Sequence, residues 1–386
     1  MGKQLVYLDH SATTPLREEV LQAMEPYLRG RYGNPSSLHS WGREARQAVE
    51  SAREKVGLAL EAEPEELYFT SGGTESNNMV LKGTARRLGK GHIITSSIEH
   101  HAVLEVCRDL ETQGFKVTYL PVDRHGLVDV REVEKAITPE TVLISIMMAN
   151  NEVGTIEPVE EISNLARKNN ILFHTDAVQA VGKLPVKVNT LKVDFLSLSA
   201  HKFNGPKGVG ALYIRKGVPL PPLCYGGGQE GKVRPGTENV PGIVGLGEAL
   251  KLAVEELPRK TVYLRALQDR LLKGLLKIGE VTVNGHPRMR LPGHLNLSFN
   301  YVEGESLLLG LDLQGVAASS GSACTSGSLE PSHVLLAMGL DHQIARGSLR
   351  LTMGRGNTEQ DIDYVLEVLP PLVKRLRKIS AHYPQR

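Results

Sequence analysis

Cysteine is scarce in this chain: three in 386 residues, at positions 107, 224 and 324. Their wide spacing and odd number exclude a disulfide framework and a zinc site of the CxxC kind, and leave free thiols. Net charge is as small, with 45 basic side chains against 43 acidic ones giving +2. That balance excludes the electrostatic footprint of a nucleic-acid binder. No apolar run approaches the roughly 20 residues of a membrane span. Residues 1–9 hold too short an apolar stretch for a signal peptide, and Val6 breaks the myristoylation pattern that Met1-Gly2 begins. The expectation is a cytoplasmic protein without membrane or nucleic-acid partners. Neither an internal repeat nor a low-complexity tract is present.

What the chain does hold is length enough for two cores, since single cores stop growing at roughly 250 to 300 residues. Three nearly continuous apolar runs, 142–148, 171–176 and 195–199, read as strands of a parallel sheet covered on both faces. A helical pattern over 159–169 separates the first two. Each run closes on polar residues: Asn150 and Asn151 after the first, Asp176 and Gln179 on the second, and Ser199, His201 and Lys202 after the third. Ligands of open α/β sheets sit beyond the carboxyl ends of the strands, so these side chains are expected at one site. A lysine desolvated there becomes an amine nucleophile able to form a Schiff base.

Upstream, 66–70 reads as a strand, and Ser71-Gly72-Gly73-Thr74 turns from it into a helix running to about Leu88. Small residues opening a helix present free N–H groups and a positive dipole end to an anion, with Gly73 letting the backbone approach and Thr74 adding a hydroxyl. The run 93–96 delivers Glu99, His100 and His101 towards the same edge. His100 there either stacks on a planar ligand or shuttles protons. A metal site is the rival reading for Glu99, His100, His101, His174 and Asp176, although their spacing matches no common metal motif.

Helices are expected over 17–28, beginning at Pro15, and over 40–60, with a turn at 33–37 in which Asn34 serves its own backbone or reaches a site. Residues 209–214 read as a hairpin partner of the Lys202 strand. A Gly- and Pro-rich loop spans 226–238 and includes Thr237; such loops are more often functional than filler. Two helices, 241–256 and 259–278, then put a domain boundary near Pro258. Beyond it, short strands at 281–283, 295–299, 316–318 and 348–351 alternate with helices at 304–311, 331–338 and 358–380. Cys107 falls on an apolar helical stripe and belongs to core packing. Cys324, in contrast, lies in the polar run Ser319-Ser320-Gly321-Ser322-Ala323-Cys324, where a thiol suggests nucleophilic chemistry. Arg350, read as ending its strand, can grip a carboxylate bidentately.

The site thus asks for a phosphate near Thr74, a ring nitrogen at Asp176, a ring oxygen at Gln179 and an aldehyde for Lys202. Pyridoxal phosphate meets these demands, the carboxylate keeping its pyridine nitrogen charged. Almost from end to end the chain resembles cysteine desulfurases of the NifS and IscS kind, within the class V aminotransferase group of fold-type I pyridoxal-phosphate enzymes. The resemblance rests on residues 7–15, Thr-Ser-Gly-Gly-Thr-Glu-Ser-Asn at 70–77, Glu-His-His at 99–101 and Asn-Asn-Glu-Val-Gly at 150–154. His-Thr-Asp-Ala-Val-Gln at 174–179, Ser-Ala-His-Lys at 199–202 and the Cys324 motif complete it.

It implies an α/β fold, with a mainly parallel seven-stranded sheet in a large domain, 15–258. Residues 1–14 and 259–386 would form a smaller α+β domain carrying a mobile cysteine loop at about 319–331. By the same resemblance Lys202 binds the aldehyde, Asp176 the ring nitrogen and Gln179 the ring hydroxyl, while His100 stacks on the ring. Thr74, Ser199 and His201 hold the phosphate, with Thr237 from the partner of a homodimer. Asn151 lies beside ring and substrate, Asn34 and Arg350 bind the substrate carboxylate, and Cys324 accepts sulfur. The implied reaction turns L-cysteine into L-alanine and leaves a persulfide for an iron–sulfur scaffold or a thiolation enzyme. Rival readings are a class V aminotransferase or selenocysteine lyase on the same fold, and a noncatalytic sulfur relay.

Overall fold

The computed structural model describes residues 4–320, 331–381 and 383–384. Its largest sheet has seven strands: β2 (Leu67–Thr70), β3 (His92–Ser96), β4 (Lys116–Leu120), β5 (Thr141–Ser145), β6 (Leu172–Asp176), β7 (Phe195–Ser199) and β8 (Gly210–Ile214). They lie in the order β2-β8-β7-β6-β5-β3-β4. Only β8 runs against its neighbours, so the sheet is mainly parallel as expected, with the carboxyl ends of the other six at one edge. Every residue of β3, β7 and β8 is buried, which is why these strands carry apolar or small hydroxylic residues and few charges on either face.

The run after β5 is shorter as a strand than the sequence suggests, ending at Ser145. Ile146 and Met148 nevertheless donate to the His174 and Asp176 carbonyls, so the backbone continues along β6 to Asn150 and Asn151. At the amino end, Pro15 does not open the first helix. That helix is Glu18–Arg29, with Arg17 at its cap.

A second group of strands is antiparallel: β9 (Val281–Asn284), β10 (His294–Phe299) and β12 (Ser348–Thr352) pair in the order β12-β10-β9. Beside it, β1 (Val6–Tyr7) pairs in parallel with β11 (Val316–Ala317). Val6 and Leu8 therefore pack with Leu295, Leu297, Leu349 and Leu351 in a core separate from the one under the large sheet.

One element serves both cores. The two helices expected around Pro258 are a single helix, Val240–Leu275, of 36 residues and about 54 Å in length at 1.5 Å per residue. Val240, Ile243, Leu246, Leu250 and Ala253 face the large-sheet core, while Leu264, Leu267, Leu271 and Leu275 face the other. Proline inside a helix forfeits one backbone bond, but apolar contact on both sides of Pro258 holds the rod together.

Candidate functional site

The carboxyl edge of the sheet opens into a cavity of about 330 Å³. Gly73, Thr74, His100, Asn151, Asp176, Gln179, Ser199, His201, Lys202 and Arg350 all line it, ten of the residues singled out from the sequence. They come from five crossings of the sheet edge and from β12 of the other core.

Lys202 sits on the short turn Ala200–Lys202 that leaves β7. Its Nζ donates to the carbonyls of Ser11 at 2.6 Å and Ala12 at 2.8 Å. Those carbonyls belong to the segment after β1, which is tied down because Thr14 donates from N and Oγ1 to the His201 carbonyl. The amine is therefore held from above by the amino-terminal segment and from below by the sheet. Ser11 and Ala12 contribute backbone only, so composition gives no sign of them.

Asp176 ends β6 and is 7% exposed. Asn77 Nδ2 donates to its Oδ2 at 2.7 Å and Val178 N–H to its Oδ1 at 3.0 Å. The role of Asn77 escaped the sequence reading, although it stands seven residues after Thr70 in a motif noted there. Being four residues into the helix Gly73–Leu88, it falls on the face turned to the sheet.

That helix has no side-chain cap at Gly72, so its first N–H groups remain available to an anion. A Cβ on Gly73 would meet Val178 Cγ2 at 2.5 Å, which makes glycine necessary for this close approach. His201 Nδ1 lies 3.2 Å from Thr13 Oγ1, and burial, then Lys202, pushes its pKa down to about 4. His100 caps the helix His101–Thr112 by accepting the Ala102 N–H at 3.0 Å. Burial lowers its pKa, with Asp176 opposing and Lys202 assisting.

Gln179 is engaged at both ends of its amide. Nε2 donates to the Ser11 carbonyl at 2.9 Å, and Oε1 accepts from Lys183 at 2.8 Å. Arg350 lies in the middle of β12 rather than at its end. Its guanidinium donates to Asn151 O and Asp9 Oδ1, both at 2.9 Å, while its buried Nε has no acceptor.

Two expected residues stand elsewhere. Asn34 Oδ1 accepts the Ser36 N–H, the local turn bond that was its alternative reading. Thr237 is exposed and outside the cavity wall. Cys324 lies outside the described residues, as does most of the 319–331 segment. The flanks of that segment are fixed beside the cavity: Ser319 bridges to Arg350, Ser332 donates to Glu152 Oε2, and His333 bonds to the Glu99 carbonyl. As for the metal reading, Glu99 Oε1 accepts from Ser96 and Met147, and both ring nitrogens of His174 bond to Ser145 and Ser197. These groups are committed within the sheet.

Fold and site together define an α/β enzyme whose pocket is organised around one amine, one carboxylate and a helix terminus open to an anion. The chain belongs to the aminotransferase class-V family, whose model matches residues 6–365. It is 57% identical over 383 residues to a Methanosarcina thermophila protein named cysteine desulfurase IscS, covering 98% of this chain and 95% of that one. A Dictyoglomus turgidum protein of the same name is 56% identical, covering 98% and 97%. Among solved structures, a NifS-like protein matches with a TM-score of 0.92 at 44% identity, covering 97% of this chain and all, 100%, of the other. SspA in complex with cysteine matches with a TM-score of 0.81 at 40% identity, covering 90% and 98%.

Proposed function

We propose that this protein is a pyridoxal-phosphate-dependent cysteine desulfurase: it converts L-cysteine to L-alanine and passes the sulfur to Cys324 as a persulfide. The observation that carries the reading is the convergence of Lys202, Asp176, Gln179 and the Gly73–Leu88 helix terminus on one cavity. Those residues fit the cofactor: an uncapped helix start beside Ser199 and His201 for a phosphate, a carboxylate for a pyridinium, an amide N–H for a ring oxygen, and an amine for an aldehyde. When bound, pyridoxal phosphate supplies an electron sink conjugated to the substrate Cα.

The remaining chemistry falls to this chain. Lys202, on the cavity wall, would hold the cofactor aldehyde and serves as the base for the substrate Cα proton. Arg350, with an unused buried N–H and a fixed guanidinium, holds the substrate carboxylate; Asn34 assists there after a movement of its turn. Asn151 would lie beside ring and substrate, and His100 would stack on the ring. The Cys324 thiolate forms an S–S bond with substrate sulfur as the Cβ–S bond breaks. The bond pair stays on Cβ, which takes up a proton and becomes the methyl of alanine.

A second copy of the chain completes the phosphate site with its Thr237, which fits the exposure of that residue on its own subunit. The domain division at 258, a segment at about 319–331 that supplies Cys324, and cytoplasmic delivery to an iron–sulfur scaffold or thiolation enzyme complete the reading. Among the described residues no helix is long and apolar enough to cross a membrane. The test is to incubate the protein with cysteine and measure alanine and sulfide, with Cys324→Ala as control. Borohydride reduction followed by peptide mapping should mark Lys202. Equal sulfide from the variant, or label on another lysine, overturns the assignment.

A further inference from the structure

Lys183 has no part in the mechanism above, yet it occupies a well-determined place. The turn carrying it is fixed by Gly182, whose φ is +74° and where an added Cβ would lie 2.6 Å from Phe203 Cβ. Lys183 Nζ donates to Gln179 Oε1 at 2.8 Å, Gln179 Nε2 donates to the Ser11 carbonyl at 2.9 Å, and Lys202 Nζ donates to that same carbonyl at 2.6 Å. Two lysines thus terminate one hydrogen-bond chain, with the Gln179 amide and the Ser11 carbonyl between them.

The chain fixes the sense of the amide. A carbonyl only accepts, so the nitrogen of Gln179 must face Ser11, and its oxygen is left for Lys183. The second N–H of that nitrogen is left over as a donor on a residue that lines the cavity, and the donor on the amide oxygen polarises it further. Gln179 then offers the cavity a donor rather than an acceptor.

We propose that Lys183 is a positioning residue: as the donor to Gln179 Oε1 it holds that amide with its N–H towards the ligand ring oxygen. The inference rests on the proposed function and names a determinant of that same site. The groups acting electrostatically with Lys183 come from every neighbouring element: His10 from the amino-terminal segment, His201 and Lys202 from the turn after β7, Lys260 from the long helix, His294 from β10 and Arg350 from β12. Burial and the cations Lys202, Lys260 and Arg350 hold Lys183 itself well below the ordinary lysine range. Replacing it with an apolar side chain of similar volume removes a costly buried amine, which offsets the donor lost to Gln179 Oε1, so the fold should keep its stability.

The experiment uses the cofactor-loaded protein and the variants Lys183→Met and Lys183→Arg. Cofactor content, the borohydride-labelled peptide, the melting temperature and the pH midpoint of the visible absorption band are measured for each. Lys183→Met should keep a full complement of cofactor on Lys202 and melt no lower than the parent. Its band midpoint should rise by about one pH unit, because the donor held on the ring oxygen is no longer fixed. Lys183→Arg, which keeps a donor to Gln179, should show no such rise. An unmoved midpoint in Lys183→Met, equal shifts in both variants, or cofactor loss from Lys183→Met alone overturns this role and leaves the proposed function standing. A parent protein without reducible cofactor at Lys202 overturns both.

Discussion

Nδ1 of His100 accepts the backbone N–H of Ala102 at 3.0 Å, so the ring that lines the cavity is also the cap of the next helix. An accepting Nδ1 carries a lone pair, which puts the proton of the neutral ring on Nε2. Charging the ring would turn a second N–H against the helix terminus. The cap and burial therefore act in the same direction, against imidazolium.

His100 should accordingly stay neutral with its proton on Nε2, and nitrogen-15 spectra should give a midpoint below that of free imidazole. His100→Asn keeps a good cap and should leave thermal stability near the parent, whereas His100→Ala should lose about 1 kcal/mol. Loss of one hydrogen bond of about 1.5 kcal/mol lowers turnover roughly 10-fold. A lost general base would cost about 10² to 10⁴-fold. The expected result for His100→Asn is the smaller figure, which assigns the proton transfer to Lys202. A fall above about 10³-fold would return it to His100.

Asp176 and Asn77 give a separate test. Asn77 Oδ1 is buried without a partner while its nitrogen serves the carboxylate. If asparagine replaces Asp176, Asn77 can turn over and accept from the new amide, so Asp176→Asn should fold normally. With the negative charge gone, nothing keeps a bound pyridine nitrogen protonated. Alanine formation should fall by at least about 10²-fold, some 2.7 kcal/mol. Asn77→Ala leaves the carboxylate one donor short and should cost about 1 to 3 kcal/mol in stability, read from urea midpoints.

The strands were legible because burial on both faces leaves an unmistakable run of apolar residues, and the polar residue closing each run marked the cavity edge. Long-range partners were not legible. Nothing near Gln179 announces that its amide meets the Ser11 carbonyl, 168 positions earlier. Pro258 misled because proline opposes a helix locally, while two cores on either side of it outweigh that preference. Asn34 opens a turn whose local backbone bond explains it as well as function does, and Thr237 is an exposed residue of an irregular loop.

The Gly-rich loop 226–238 includes an anchor that composition hides. Glu230, at φ 44°, pairs with buried Arg53 at 2.7 and 3.0 Å and accepts the Phe69 N–H at 2.8 Å. Glu230→Ala would leave the Arg53 guanidinium, packed over Phe69, with only the half-exposed Glu50 as counter-charge and the Phe69 N–H without its acceptor. The expected loss is about 3 kcal/mol, seen as a lower denaturant midpoint. Arg53→Met with Glu230→Leu should recover much of it, since removing both charges abolishes the desolvation cost along with the pair.

Glu99 supplies a pH dependence. Burial pushes its carboxyl up to about 8, with hydrogen bonds from Ser96 and Met147 opposing and Asp176 assisting. The folded protein therefore keeps this proton where the unfolded chain, near the ordinary 4.5, has lost it. Protons bound to the folded state add stability at low pH, and that contribution is fully present below about 4.5 and lost as pH rises to about 8. Glutamine cannot titrate and resembles the protonated acid in shape. The stability of Glu99→Gln minus that of the parent should therefore grow between pH 4.5 and 8, by on the order of a few kcal/mol, and level off above. Taking the difference cancels His10, His174 and His201, whose lowered pKa values, each about 4, act with the opposite sign on the acid side. Urea midpoints at pH 5, 7 and 9 measure it. A difference that is flat over this range would mean that Glu99 is already ionised at pH 5, with its second oxygen bonded to a group other than the hydroxyl and N–H described.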